Sequence, residues 1–92
     1  MKVYLAGPIS GHSNYAERFA EYADNLRADG HSVFNPAAAN QEGRPLNLIM
    51  AFVLPQLCEC EAIALMPGWR GSDGAQIEWR LAEYLKLKII FL

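Results

Sequence analysis

Residues 2–8, KVYLAGP, form a short apolar run that ends at Gly7 and Pro8. Glycine and proline directly after such a run predict a buried strand followed by a tight loop. Residues 62–66, AIALM, predict a second strand of the same central type, and the loop PGWRGSDG follows it. These two buried strands are the centre of the expected fold, and the loops that follow them are the richest in glycine, serine and polar residues.

The segments around these strands alternate between helical and extended patterns. Apolar residues at helical spacing predict an amphipathic helix over 14–29, capped by Ser13 or Asn14 and ended by Gly30. A largely apolar helix is predicted over 47–59, with a kink or a restart at Pro55. The remaining predicted segments are strands over 32–34 and 88–92, a loop over 37–46, and a helix from Asp73, with Gln76 in a pattern similar to a capping box, to about Leu87.

The resulting order, β-α-β-α-β-α-β, predicts a single α/β domain over residues 1–92. Right-handed crossovers then place helices on both faces of a parallel sheet. We expect a small flavodoxin-like, or Rossmann-like, three-layer fold with its strands in the order 2-1-3-4. Ligands bind to such sheets beyond the carboxyl ends of the strands, where the direction of winding reverses. The loops 7–13 and 67–74 are expected to meet at that point.

The composition excludes several classes of function. Of the 92 residues, 52% are hydrophobic and 20% are charged, and the net charge is −2. Acidic and basic residues are spread evenly, which argues against a protein that binds polymeric nucleic acid. The longest apolar run, over 48–54, is too short for a membrane helix, and the N-terminus lacks the apolar core of a signal peptide. We therefore expect a cytoplasmic protein that does not contact a membrane.

The cysteines and histidines do not predict a metal site. Cys58 and Cys60 are expected to be free thiols in a reducing compartment. Their spacing, with His12 and His31 far away in the sequence, does not match a set of zinc ligands. We expect neither a metal nor another cofactor.

Glycines are concentrated in the two loops that are expected to meet. They allow a close approach of the backbone to a ligand, and the helices that begin after these loops direct free N–H groups towards the same place. This arrangement suits an anion such as a phosphate, although glycines in such turns also have purely geometric roles. The glycines concerned are Gly7, Gly11, Gly68, Gly71 and Gly74.

Three further side chains have both a functional and a structural interpretation. Glu78, near the start of the third helix, is either a carboxylate that the helix dipole keeps ionised or a solvated helix residue. Tyr4 is either a core residue or a hydroxyl group with a partner at the site. Trp69 is placed either to stack on a base or to cap the sheet.

Two motifs carry a resemblance to a known family. YLAGPISG, at 4–11, and PGWRGSDGAQIEW, at 67–79, resemble the nucleoside 2-deoxyribosyltransferase-like superfamily, and more closely its short members encoded in phage and prophage genomes. The resemblance covers nearly the whole chain. It implies a site for a small nucleoside or nucleotide.

The resemblance also implies roles for individual residues. A carboxylate of the family's S-x-G-x-x-x-E motif attacks C1′ of a deoxyribose, and Ser72, Gly74 and Glu78 match that motif. Transfer of the sugar to water or to a second base follows. Tyr4 would hold the nucleophile or the sugar. The residues expected to bind substrate are Gly7, Pro8, Ile9, Ser10, Gly11, Trp69, Arg70, Ser72 and Gly74.

In the family that this chain resembles, acidic side chains contact or protonate the departing base, and this chain has no acid at the corresponding positions. Those positions are Val53 and the segment near Pro67, and the nearest polar residues are Glu61, Arg70 and Asp73. The alternative is therefore a non-catalytic nucleotide-binding module that retains the crevice. A structural or interaction protein is a third possibility.

Two apolar segments predict a homodimer or a larger homo-oligomer. The helix over 48–54 is apolar around its full circumference, so it needs cover on more than one side. The last strand, over 89–92, is apolar on both faces and is expected at a sheet edge.

Overall fold

The computed structural model describes residues 1–39 and 41–92. Four parallel strands form one sheet in the order β2-β1-β3-β4, which confirms the predicted α/β fold and strand order. The strands and helices are β1 (Lys2–Ala6), α1 (Tyr15–Ala28), β2 (Ser32–Phe34), α2 (Leu46–Cys58), β3 (Ala62–Leu65), α3 (Asp73–Tyr84) and β4 (Lys88–Phe91), with short 3-10 helices at Pro36–Ala38 and Trp69–Gly71.

Three layers result from the alternation of side chains along β1 and β3. Val3 and Leu5 point to one face of the sheet, where they pack with residues of α1 such as Phe19. Tyr4 and Ala6 point to the other face, which α2 and α3 cover. β3 is buried throughout and β1 is buried from Val3 to Ala6, as their apolar sequences predict.

The start of α3 differs from the prediction. The side chain of Ser72, and not that of Asp73, caps the helix, because its Oγ accepts a hydrogen bond from the backbone N–H of Ala75 at 3.2 Å. The Gln76 side chain donates to the carbonyl oxygen of Arg70 and therefore completes no capping box. The helix ends at Tyr84, before the predicted end.

The other two helices also differ in detail. The restart predicted at Pro55 is wrong, since α2 continues as one helix through this residue. Asn14 precedes α1 but its side chain makes no capping hydrogen bond, whereas Gly30, with φ of +95°, terminates the helix as expected. The predicted loop over 37–46 overlaps the 3-10 helix Pro36–Ala38, and its residue Asn40 lies outside the described residues.

No helix of the described residues is both long and apolar enough to cross a membrane.

Candidate active site

The loops that follow β1 and β3 are in contact at the carboxyl ends of these strands. The backbone N–H of Met66 donates to the carbonyl oxygen of Ala6 at 2.8 Å. A Cβ atom on Gly7 would lie 2.8 Å from the Sδ atom of Met66 and 2.9 Å from its Cβ atom, so this position has no space for a side chain. A Cβ atom on Gly68, which has φ of +88°, would lie 3.5 Å from the Cγ atom of Pro8. The two loops expected at the switch point therefore do meet.

Beside this junction, β1 and α3 bring together Tyr4 and Glu78. The Tyr4 hydroxyl donates a hydrogen bond of 2.5 Å to the Oε2 atom of Glu78. Tyr4 is fully buried and Glu78 is 8% exposed. The pairing follows from the topology, because Tyr4 points to the face of the sheet that α3 covers and Glu78 lies in the second turn of that helix.

Burial changes the protonation of both groups. Desolvation raises the pKa of Glu78 to about 7, and the hydrogen bond from Tyr4 opposes this rise. Desolvation also raises the pKa of Tyr4 far above its usual range, and the nearby Glu78 charge adds to the effect, so the hydroxyl stays a donor. Of the two interpretations of Glu78, the solvated helix residue is wrong because the side chain is buried, and the same burial opposes the ionised state expected from the helix dipole.

A carboxyl group with a pKa near 7 has chemistry that a surface glutamate lacks. Near neutral pH it is present in both protonation states, so it can donate or accept a proton or attack as a carboxylate. The described residues include no cluster of histidine, cysteine, aspartate and glutamate side chains arranged to hold a metal ion.

Trp69 is a core residue in this structure. It is 7% exposed, and its ring centroid lies 5.2 Å from that of Trp79 and 6.5 Å from that of Phe91. These contacts favour the interpretation in which Trp69 caps the sheet, and its stacking on a base stays a prediction. Beside Tyr4 the stacked ring is instead Phe34, at 5.5 Å.

Sequence reasoning did not single out Phe34. It lies next to Tyr4 because the register of β1 and β2 pairs these two residues. The alternating apolar pattern of a strand cannot reveal such a pairing before the register is known.

Other residues expected at the substrate site lie in the same two loops as the junction. Ile9, Ser10 and Gly11 are exposed, and Gly11 has φ of +81°. A Cβ atom on Gly74 would lie 3.5 Å from the Cε atom of Met50 in α2. Gly7 and Pro8 are at the junction of the loops, and the substrate contacts of all these residues stay predictions.

Two residues of the β3–α3 loop have structural contacts of their own. The hydroxyl of Ser72 accepts the capping hydrogen bond described above and keeps its own proton to donate. Arg70 is exposed, and its guanidinium carbon lies 4.9 Å from the centroid of the Trp69 ring.

The sequence patterns did not identify a further cation, Arg18, as a residue near the site. It lies in the first turn of α1, and its Nη2 atom donates to the carbonyl oxygen of Pro67 at 3.5 Å. Its position, four residues after Asn14 in a helix predicted to begin near the two loops, was the feature of the sequence that could have indicated this. On its own this position also fits a solvated helix residue.

Of the two acids that could substitute for the missing one, Glu61 lies away from the loop junction and Asp73 is exposed next to Ser72. The Oε1 atom of Glu61 accepts a hydrogen bond from the backbone N–H of Lys2, at the amino end of the sheet. Asp73 is exposed in the first turn of α3, and Val53 is buried in the core. Among the described residues, Glu78 is the buried carboxyl group near the loop junction.

Comparison with known proteins supports the fold. A 2-deoxyribosyltransferase from the psychrotolerant bacterium Bacillus psychrosaccharolyticus has a similar structure, with a TM-score of 0.79 and 19% sequence identity over 99% of this chain and 71% of that protein. At this identity the likeness shows the fold alone. A search of curated proteins found no match. The family model described as a domain of unknown function, DUF4406, matches residues 1–91, and the chain therefore belongs to the DUF4406 family.

Proposed function

We propose that this protein cleaves the N-glycosidic bond of a 2′-deoxyribonucleoside or its 5′-monophosphate, with Glu78 as the nucleophile. The observation that carries this proposal is the buried hydrogen bond between Tyr4 and Glu78 beside the junction of the two loops. A buried carboxyl group costs folding free energy, so its presence beside the junction of the two loops argues for a chemical role. The similar fold of a 2-deoxyribosyltransferase points to the same chemistry.

The reaction divides into two displacements at C1′. An oxygen atom of the Glu78 carboxylate forms a bond to C1′ while the bond from C1′ to the base nitrogen breaks, and the departing base keeps the electron pair and takes a proton from water. Water then attacks C1′ while the bond from C1′ to the Glu78 oxygen breaks, and the hydroxide left by the first step takes the proton of the attacking water, so that the sugar and the free carboxylate are released. A second base that attacks in place of water yields a new nucleoside. Both outcomes follow the logic of retaining glycosidases.

Tyr4 would position the nucleophile. Its hydroxyl donates to Oε2 of Glu78, which orients the carboxyl group and leaves Oε1 for attack. The same hydrogen bond lowers the pKa of Glu78 against the effect of burial, so it increases the fraction of carboxylate at neutral pH. Loop amides and the Ser72 hydroxyl would bind the sugar end of the substrate.

The direct test is to incubate the pure protein with a panel of deoxynucleosides and their 5′-monophosphates and to separate the free bases by chromatography. We expect release of base from at least one substrate, and transfer when a second base is present. Mass spectrometry of the quenched reaction should find a deoxyribosyl adduct on the peptide that contains Glu78. If no substrate in the panel loses its base, the proposal is wrong.

A non-catalytic nucleotide-binding module is the second candidate. The observation that favours it is that, of the two acids nearest to the family's acidic positions in the sequence, Glu61 lies at the opposite end of the sheet and Asp73 is an exposed residue. Such a module would bind a nucleotide in calorimetry without releasing its base. The panel and the titration together separate the two functions.

We also propose that the protein forms a homo-oligomer. Leu46 and Leu48 of α2 are 79% and 42% exposed, and Phe91 of the edge strand β4 is 65% exposed. Light scattering at micromolar concentration should give a mass above the 10.3 kDa of one chain. Leu48→Glu or Phe91→Glu should lower that mass, whereas Ala20→Glu on the exposed face of α1 should not. A wild-type mass of one chain contradicts this proposal.

A further inference from the structure

Arg18 approaches the candidate site from the helical layer opposite to Glu78. It is partly buried in the first turn of α1, and its Nη2 atom donates a long hydrogen bond of 3.5 Å to the carbonyl oxygen of Pro67. Pro67 directly precedes Gly68, where a Cβ atom would lie 3.5 Å from the Cγ atom of Pro8. The guanidinium group therefore lies beside the place where the two loops of the crevice meet.

The positive charge of Arg18 has no counter-ion in the part of the chain that the structure describes. Lys2 pairs with Glu59 and Arg27 pairs with Asp24, but Arg18 forms no ion pair and contacts a neutral carbonyl group. A guanidinium presents five N–H donors in a planar fork that fits two oxygens of one phosphate, and a single long bond leaves most of these donors free. A bound anion would offset the cost of partly desolvating this charge.

Arg70 is the cation that the sequence indicates near this crevice, and its environment is different. Its guanidinium carbon lies 4.9 Å from the centroid of the Trp69 ring, and the residue is exposed. This charge is already compensated by the aromatic face and by water. Arg18 is therefore the better candidate for a ligand of opposite charge.

We propose that Arg18 binds the 5′-phosphate of a deoxynucleotide and makes the monophosphate the preferred ligand over the nucleoside. A nucleoside carries no anionic group near neutral pH, whereas a phosphate monoester carries between one and two negative charges. The N-terminal turn of α1, which contains Arg18, adds to the attraction for an anion. This inference rests on the proposed function, because the sugar of the same ligand has to reach Glu78.

The test measures binding separately from base release. Deoxynucleoside 5′-monophosphates and the matching deoxynucleosides are titrated by calorimetry into wild type, Arg18→Gln and Arg18→Lys, with Glu78→Gln as the background if the substrate turns over. Arg27→Gln is the matched control, because it removes the same charge from the far end of the same helix, where Arg27 also donates to a backbone carbonyl. Thermal melting checks that each variant is folded.

We expect wild type to bind the monophosphate at least about tenfold more tightly than the nucleoside, a difference of about 1.4 kcal/mol. Arg18→Gln should abolish this preference without weakening the binding of the nucleoside, Arg18→Lys should restore part of it, and Arg27→Gln should retain it. Equal affinities in wild type, or an unchanged preference in Arg18→Gln, overturn the inference. If the preference depends on Arg18 but no base is released, the proposed function fails and the phosphate site stands.

Discussion

The two ends of the parallel sheet place a glutamate in opposite environments. At the amino end, Glu61 is exposed, and its Oε1 atom accepts a hydrogen bond of 3.0 Å from the backbone N–H of Lys2. Near the carboxyl end, Glu78 is 8% exposed, and its Oε2 atom accepts a hydrogen bond of 2.5 Å from the Tyr4 hydroxyl. Desolvation raises the pKa of Glu78 to about 7.

The difference shows that the surroundings of a carboxyl group decide what it can do. The exposed Glu61 stays hydrated and links two neighbouring strands, which is a structural role. Glu78 is buried at a cost in free energy, near the end of the sheet where the two glycine-containing loops meet. The predictions below test whether this contrast is functional.

The largest expected effect is on base release when each glutamate is replaced by glutamine. Glu78→Gln removes the nucleophile and should reduce the rate of base release by at least about 10³-fold. Glu61→Gln keeps an oxygen acceptor for the Lys2 N–H group and should leave the rate within twofold of wild type. Chromatographic rates with a monophosphate substrate measure both. Equal losses in the two variants would mean that the contrast is structural only.

A second effect concerns the pH dependence of the reaction. Attack requires the carboxylate of Glu78, so kcat/KM of wild type should increase as the pH rises through about 7. Tyr4→Phe removes the hydrogen bond that lowers the pKa of Glu78, and this variant should have a lower rate and a midpoint at higher pH. Tyr22→Phe, on the α1 side of the sheet, is the control and should match wild type. An unmoved midpoint in Tyr4→Phe argues against the role given to the hydroxyl.

A third effect is the pH dependence of stability. The pKa of Glu78 is raised from 4.5 to about 7 in the folded protein, so between these values the folded state binds more protons than the unfolded state. Its contribution to stability is complete below pH 4.5 and is lost as the pH rises through 7. The loss is on the order of 3 kcal/mol.

Urea unfolding of wild type and Glu78→Gln at several pH values measures this contribution. The stability of wild type relative to Glu78→Gln should fall between pH 5 and pH 8, because glutamine does not titrate. A constant difference between the two proteins over that range would show that the Glu78 pKa is not raised.

The smallest expected effect is on stability, and it distinguishes two glycines in the loops at the carboxyl end of the sheet. Gly7→Ala forces Met66 to move, because the added Cβ atom would lie 2.8 Å from its Sδ atom, and it should cost about 1–3 kcal/mol of stability. Gly71→Ala, at a position with open space and without a positive φ, should cost less than about 1 kcal/mol. Denaturant titrations compare the two variants. Equal costs would contradict the close contact of the two loops.

Much of the fold was predictable from local sequence patterns. The apolar runs that become β1 and β3, the amphipathic pattern of α1, and Gly30 at its end each report on structure within one segment. The strand order then follows from general rules for parallel connections. The bounds of α3 were less accurate, because Ser72 and Asp73 are both good capping residues and only the hydrogen bond to Ala75 distinguishes them.

By itself, the sequence determined the alternation of strands and helices, the switch point and the two loops that meet there, because local periodicity and turn residues carry this information. Tertiary structure alone decided that Tyr4 and Glu78, separated by 74 residues, share a hydrogen bond, and that burial raises the pKa of Glu78 to about 7. It also placed Trp69 in the core and Arg18 beside Pro67. Burial and charge pairing depend on which segments pack together, so they become defined only when the chain is folded.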